Sequence, residues 1–194
     1  MSPARGPVEG RKDRRSLILD AVLTLLGREG MAGVTMRAVA REAGVALGLV
    51  HYYFDDKPGL ISAALRRVEE QDLLIVEPDT SLAPDRRLRA ALRRVADPEF
   101  LTTEYLSLRM QLWALARVND DFAEINSSAQ RRYRAALAAL IRAARPALTR
   151  AECARRAADI DVLQNGVWLT ALLGLDRSSI RRSVARTEEI ALAD

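Results

Sequence analysis

The stretch from Thr35 to Phe54 places small residues where two steeply crossing helices need them. Ala40 sits at the crossing. Gly44, four residues later, supplies the left-handed backbone that ends one helix and starts the next without a Cβ clash. Val45 and Val50 then face back onto the first helix. This spacing is that of a helix-turn-helix, whose second helix enters the DNA major groove while the first braces the backbone. Catalysis is poorly served by comparison. One histidine, His51, and one cysteine, Cys153, on separate helices give no nucleophile with its base and no set of metal ligands. We expect no catalytic residue, no metal and no cofactor.

A second group of residues suits a small ligand. Trp113 and Trp168, with Tyr105, Met110 and Tyr133, put large flat side chains on neighbouring helices, where they either line a pocket or pack as core. Their π faces could hold a cation, with Glu104 or Asp161 as its counter-charge. Arg109, one turn before Trp113, would oppose such a cation if it pointed inward, which keeps an anionic or neutral effector open. Trp168 faces either the pocket or a partner subunit.

The elements that must carry these residues are helical. Leu17, Ile18, Ala21, Val22, Leu25 and Leu26 recur at spacings of three and four, predicting a first helix closed by Gly30. Thr35 caps a second helix ending at Gly44, a third runs from Ala46 to Phe54, and Asp55 and Asp56 cap a fourth. The segment from Glu77 to Pro84 reads as a loop, and Asp97-Pro98 ends a fifth helix. Leu101 to Arg117 is apolar on two faces and should be central; a long seventh helix stops at Pro146. Thr149 with Glu152 forms a capping box for the eighth, and Ile180, Val184, Thr187 and Ala191 mark the ninth. Nothing alternates with period two, so the expected class is all-α with about nine helices. An arm over residues 1–10, a DNA-binding domain over 11–57 and a ligand-binding and dimerisation domain over 58–194 complete the expected organisation.

With 194 residues, 49% of them hydrophobic, the chain can bury a sizeable core without disulfides. A net charge of +4 permits nucleic-acid binding but does not argue for it. No stretch is long and apolar enough to span a bilayer and no signal peptide is evident, so the expected location is cytoplasmic, away from membranes.

The end of the motif, His51-Tyr-Tyr-Phe-Asp-Asp-Lys57 followed by Pro58-Gly59-Leu60, closely resembles the TetR family of repressors from about Arg11 to Val68. The tract from Asp161 to Gly174, with Trp113, resembles the branch containing choline-responsive repressors of betaine synthesis. The resemblance implies that Thr35 and Lys57 meet phosphates and that Arg37 reaches a base edge or phosphate. It also places the exposed side of Ala46, Leu47, Gly48, His51, Tyr52 and Tyr53 in the groove, with Phe54 in the core. Leu47 and Leu49 depart from the polar residues many relatives carry, and leucine cannot hydrogen-bond a base edge. His51 alone could equally be solvated, and so could the cluster Arg11, Lys12, Arg14 and Arg15. The implied protein is a repressor that binds palindromic operator DNA as a homodimer paired through its last two helices. A small-molecule effector of unknown identity releases it by tilting the fourth helix. The alternative is a helical protein-interaction module that does not bind DNA.

Overall fold

The computed structural model describes residues 13–77, 79–174 and 176–193. The arm expected over residues 1–10, and Arg11 and Lys12, lie outside them. The described residues form nine α-helices and two 3₁₀ turns, with no strand among them. They fall into two compact units, one up to Ala64 and one from Leu65 onward, so the division lies within the fourth helix.

In the first unit, α1 (Arg14–Gly33) starts at Asp13, whose carboxylate accepts the Arg15 N–H, and breaks at Gly30, where φ is 65°. The last residues of α1 lie beyond this break, so glycine interrupts the helix where the apolar spacing stops. Thr35 caps α2 (Met36–Glu42) by accepting the Ala38 N–H at 3.0 Å. Gly44 then adopts φ 64°, and the Val45 N–H returns to the Ala40 carbonyl at 3.0 Å, which closes the turn before α3 (Leu47–Tyr53). The buried side chains are those the spacing selects: Ile18, Val22, Leu25 and Leu26 of α1, Val39 and Ala40 of α2, Val50 of α3.

Helix α4 (Lys57–Leu73) begins in this unit, its start fixed by Asp56, which accepts the Gly59 N–H at 2.8 Å. The second unit continues with a 3₁₀ turn at Leu74–Val76, which apolar periodicity did not reveal, and with α5 (Pro84–Arg94), opened by proline at a position needing no N–H donor. A second 3₁₀ turn, Pro98–Phe100, leads into α6 (Thr103–Ala116), capped by Thr102. α7 (Asp120–Ala144) and α8 (Arg150–Leu172) pack along each other, and α8 also packs along α9 (Arg177–Leu192). Thr149 accepts the Glu152 N–H at 3.1 Å, as its capping position requires. Leu137, Ile141, Ala157 and Ile160 form the centre of the core, and the lone thiol of Cys153 is buried there.

Gly44 tests the logic of the turn. A Cβ at this position meets nothing within 4 Å, so backbone strain alone opposes a side chain. Gly44→Ala should therefore lose about 1 to 2 kcal/mol of stability in urea titrations, and Gly44→Asn less, since asparagine tolerates the left-handed region better. Equal stability of the alanine variant and the parent would show that the turn does not constrain the backbone.

Candidate DNA interface and ligand chamber

At 100° per residue, Leu47, Gly48, His51 and Tyr52 of α3 share an arc of about 140°, while Leu49, Val50 and Tyr53 share the opposite side. The structure follows this division. Val50 is buried, Leu49 and Tyr53 are half-buried, and Leu47, Gly48, His51 and Tyr52 are exposed, Tyr52 at 78%. The ring of Tyr53 meets Tyr52 edge-on at 5.1 Å between centroids, which limits the freedom of the exposed tyrosine. Thr35, Arg37 and Ala46 are also exposed. Phe54 is core, with the guanidinium of Arg15 5.5 Å from its ring centroid.

Gly48 has no internal reason to be glycine. A Cβ there would meet nothing within 4 Å, and its φ is not in the left-handed range. Glycine within a helix costs about 1 kcal/mol relative to alanine, so the absence of a side chain on this exposed face suits close approach by something external. Lys57 has a structural attachment: its ammonium donates to the Met31 carbonyl at 2.9 Å and so ties the start of α4 to the end of α1.

The second unit encloses a chamber of about 60 Å³, lined by the Leu65–Leu73 part of α4 and by α6, α7 and α8. Trp113, Tyr133 and Trp168 line it. Trp168 points inward, 3% exposed, and its indole N–H donates to the Val95 carbonyl at 3.2 Å, so it is not available to a partner subunit. Tyr105 and Met110 do not line the chamber. Arg109, Leu112 and Trp113 occupy the inward face of α6; Met110 lies about 100° round the helix from Arg109. Tyr105 shares the inward face but lies one turn earlier, and its ring packs edge-on behind Trp168 at 6.1 Å. Glu104 is exposed on the first turn of α6 and is not among the lining residues either.

The chamber's electrostatics centre on Arg109. Its guanidinium carbon lies 3.9 Å from the ring centroid of Trp168, 5.5 Å from that of Trp113 and 5.9 Å from that of Tyr105. Nη1 donates to Asp72 of α4, and Asp72 also accepts the hydroxyl of Tyr105. Burial alone would pull the Arg109 pKa down, but the carboxylate of Asp72 and the oxygen of Tyr105 together raise it above its ordinary value. Burial also pushes Glu69, on the α4 wall, up to about 7 despite nearby Arg66. Asp161 is paired with Arg134 at 2.6 Å and accepts weakly from Asn165 at 3.4 Å. The hydroxyl of Tyr133 donates to Gln164 Oε1 at 2.7 Å. Among the described residues, two buried side-chain nitrogens are left without partners, Arg109 Nε and Gln164 Nε2.

Sequence reasoning overlooked Glu69, Asp72 and Gln164. The first two carried a signal: they continue the Leu65 and Val68 stripe at helical spacing, where a carboxylate must face whatever the stripe faces. Gln164 lies inside an apolar tract, where a lone amide marks a buried polar contact.

A helix-turn-helix with an exposed second helix, in a chain that also builds a largely apolar chamber with a few polar groups in its wall, is the arrangement of a ligand-responsive transcriptional regulator. Residues 18–64 match the family of bacterial regulatory proteins of tetR type, and residues 84–191 match the C-terminal part of BetI-type transcriptional repressors. The chain belongs to the TetR family, with a regulatory half of BetI type. The HTH-type transcriptional regulator BetI of Paraburkholderia phymatum is 31% identical over 172 residues, 86% of this chain and 85% of that protein. Among solved structures, a transcriptional regulator from Pseudomonas aeruginosa aligns with TM-score 0.78 and 23% identity, over 93% of this chain and 90% of that one. A regulator from Saccharomonospora viridis, solved in complex with choline, aligns with TM-score 0.74 and 20% identity, over 93% and 96%. As in its family, the protein is a DNA-binding repressor and not an interaction module that lacks DNA binding. No helix among the described residues is long and apolar enough to cross a membrane.

Burial separates scaffold from surface at the end of α3. Phe54→Ala should cost about 3 to 5 kcal/mol in chemical denaturation. Tyr52→Ala should stay within about 0.5 kcal/mol of the parent. A large loss from the Tyr52 variant would mean that its ring supports the fold.

Proposed function

We propose that this repressor works in the cytoplasm as a homodimer that reads a palindromic operator with α3. In this reading Leu47, Gly48, His51 and Tyr52 approach the groove while Thr35, Arg37, Ala46, Tyr53 and Lys57 contact its phosphates and edges. The observation that carries it is the exposed arc of α3, whose glycine is demanded by nothing inside the chain. Arginine and tyrosine suit this task because both donate to phosphate or to base edges while their flat groups pack on sugar and base. Residues 11–57 would supply DNA contact, and residues 58–194 the effector chamber and the dimer contacts.

For pairing, the α8 surface offers Val162, Gly166, Leu169 and Leu173, an exposed stripe at helical spacing. A Cβ on Gly166 would also meet nothing within 4 Å, so this glycine suits close approach of a second α8. The stripe Ile180, Val184, Thr187 and Ala191 does not serve this purpose. It is buried within its own chain, which leaves α9 to contribute its polar edge. The effector would enter the chamber and act through α4, which carries Lys57 at its start and Leu65, Val68, Glu69 and Asp72 along the chamber wall. A tilt of α4 would alter the spacing of the two recognition helices, which couples the two sites. The choline complex of its structural neighbour makes choline the reference ligand against which the effector is tested.

The test is binding to the DNA flanking its own gene, measured with the oligomeric state. Arg37→Ala and Tyr52→Ala should remain folded dimers and lose about 1 to 3 kcal/mol of specific affinity. Leu169→Glu should give folded monomers that no longer bind the palindrome cooperatively. Full affinity in both α3 variants would remove α3 from the groove, and a dimeric Leu169→Glu would move the interface elsewhere.

A further inference from the structure

We infer that the chamber takes a small ligand through a hydrogen-bond-accepting oxygen, a carboxylate or carbonyl, and that Arg109 keeps quaternary cations out. The inference rests on reading the chamber as the effector site. A cation bound by aromatic faces needs those faces free and a carboxylate nearby. Here the faces of Trp168, Trp113 and Tyr105 are turned to the protein's own guanidinium, at 3.9, 5.5 and 5.9 Å. A second cation would have to displace that guanidinium from the rings before it could use them.

The carboxylates are committed as well. Asp72 holds Arg109 and accepts from Tyr105, and Asp161 holds Arg134. Among the described residues Glu69 has no arginine within ion-pair distance, and burial, which pushes it up to about 7, weakens it as a counter-charge.

Two donors in the chamber wall lack an acceptor. Arg109 Nε–H and the Gln164 amide are buried and unpartnered, and both residues line the cavity; Gln164 is 1% exposed. Turning the amide over does not remove this need. The Tyr133 hydroxyl would then accept from Gln164 and leave its own hydrogen without a partner, so either orientation leaves a donor unsatisfied. A buried donor without an acceptor is costly, and a ligand oxygen brought against either group offsets that cost. The surrounding side chains of Leu112, Phe122 and Ile125 suit a compact apolar body behind that oxygen.

Three probes sharing a trimethyl head test this: choline, which is cationic; pinacolone, a neutral ketone; and pivalate, a carboxylate. The chain's two tryptophans, Trp113 and Trp168, both line the chamber, so intrinsic fluorescence of the full-length dimer reports binding. Pivalate or pinacolone should bind at least about tenfold more tightly than choline. The better of the two identifies the oxygen as charged or neutral. Gln164→Glu, which keeps an acceptor for Tyr133, should weaken pivalate about tenfold and leave choline no worse. Arg109→Met should open the aromatic faces and admit choline. Tighter binding of choline by the parent, or no effect of Gln164→Glu, would overturn the proposal. So would silence from all three probes. DNA binding measured on the same preparation tells these results apart from failure of the repressor reading, since it does not depend on the chamber's ligand.

Discussion

The chamber of the regulatory unit is organised around a cation, Arg109. A guanidinium removed from water is costly unless a counter-charge and hydrogen bonds replace its solvent, and Arg109, with its side chain only 11% exposed, meets that demand through Asp72 and Tyr105. The indole of Trp168 covers one face of the guanidinium and is itself held by the Val95 carbonyl. This arrangement has three consequences. It ties the last turn of α4 to α6, it uses the aromatic faces that a ligand cation would need, and it leaves one N–H of the guanidinium directed at no protein acceptor.

The DNA-binding unit follows a different principle. Its apolar side chains and the Gly44 turn are consumed in holding two short helices together, and the groove face of α3 takes almost no part in that work. Tyr52 and Gly48 can therefore be suited to DNA at little cost to the fold. Lys57 gives one ammonium hydrogen to the Met31 carbonyl, and in the proposed complex the other two would face a phosphate.

Much of this was legible in the residues themselves. Thr35, Thr149 and Gly44 specify caps and a turn through local chemistry, and helical spacing separates the exposed from the buried side of α3 because that unit is small. Spacing states which residues share a face, but not which neighbour the face meets. That is why Ile180 and Val184 suggested a partner subunit and prove to be buried against their own chain. The same limit left the direction of Trp168 open and placed Tyr105 and Met110 in the chamber wall. Asp72 and Arg109 are 37 residues apart, and their pairing depends on how α4 and α6 pack, which no local pattern encodes.

Under the proposed coupling through α4, the buried pair takes part in control. Seventeen residues, about 25 Å of helix, run from Lys57 to Leu73, with the DNA-binding unit at the start and Asp72 near the end. If the pair holds α4 in the operator-binding arrangement, loosening it should mimic the effector. The most direct measurement is the operator affinity of Asp72→Asn without any effector, together with its helicity and dimerisation. The account predicts a folded dimer with weakened operator binding and little further response to an effector. A variant that binds the operator as the parent does and is released as fully would contradict it.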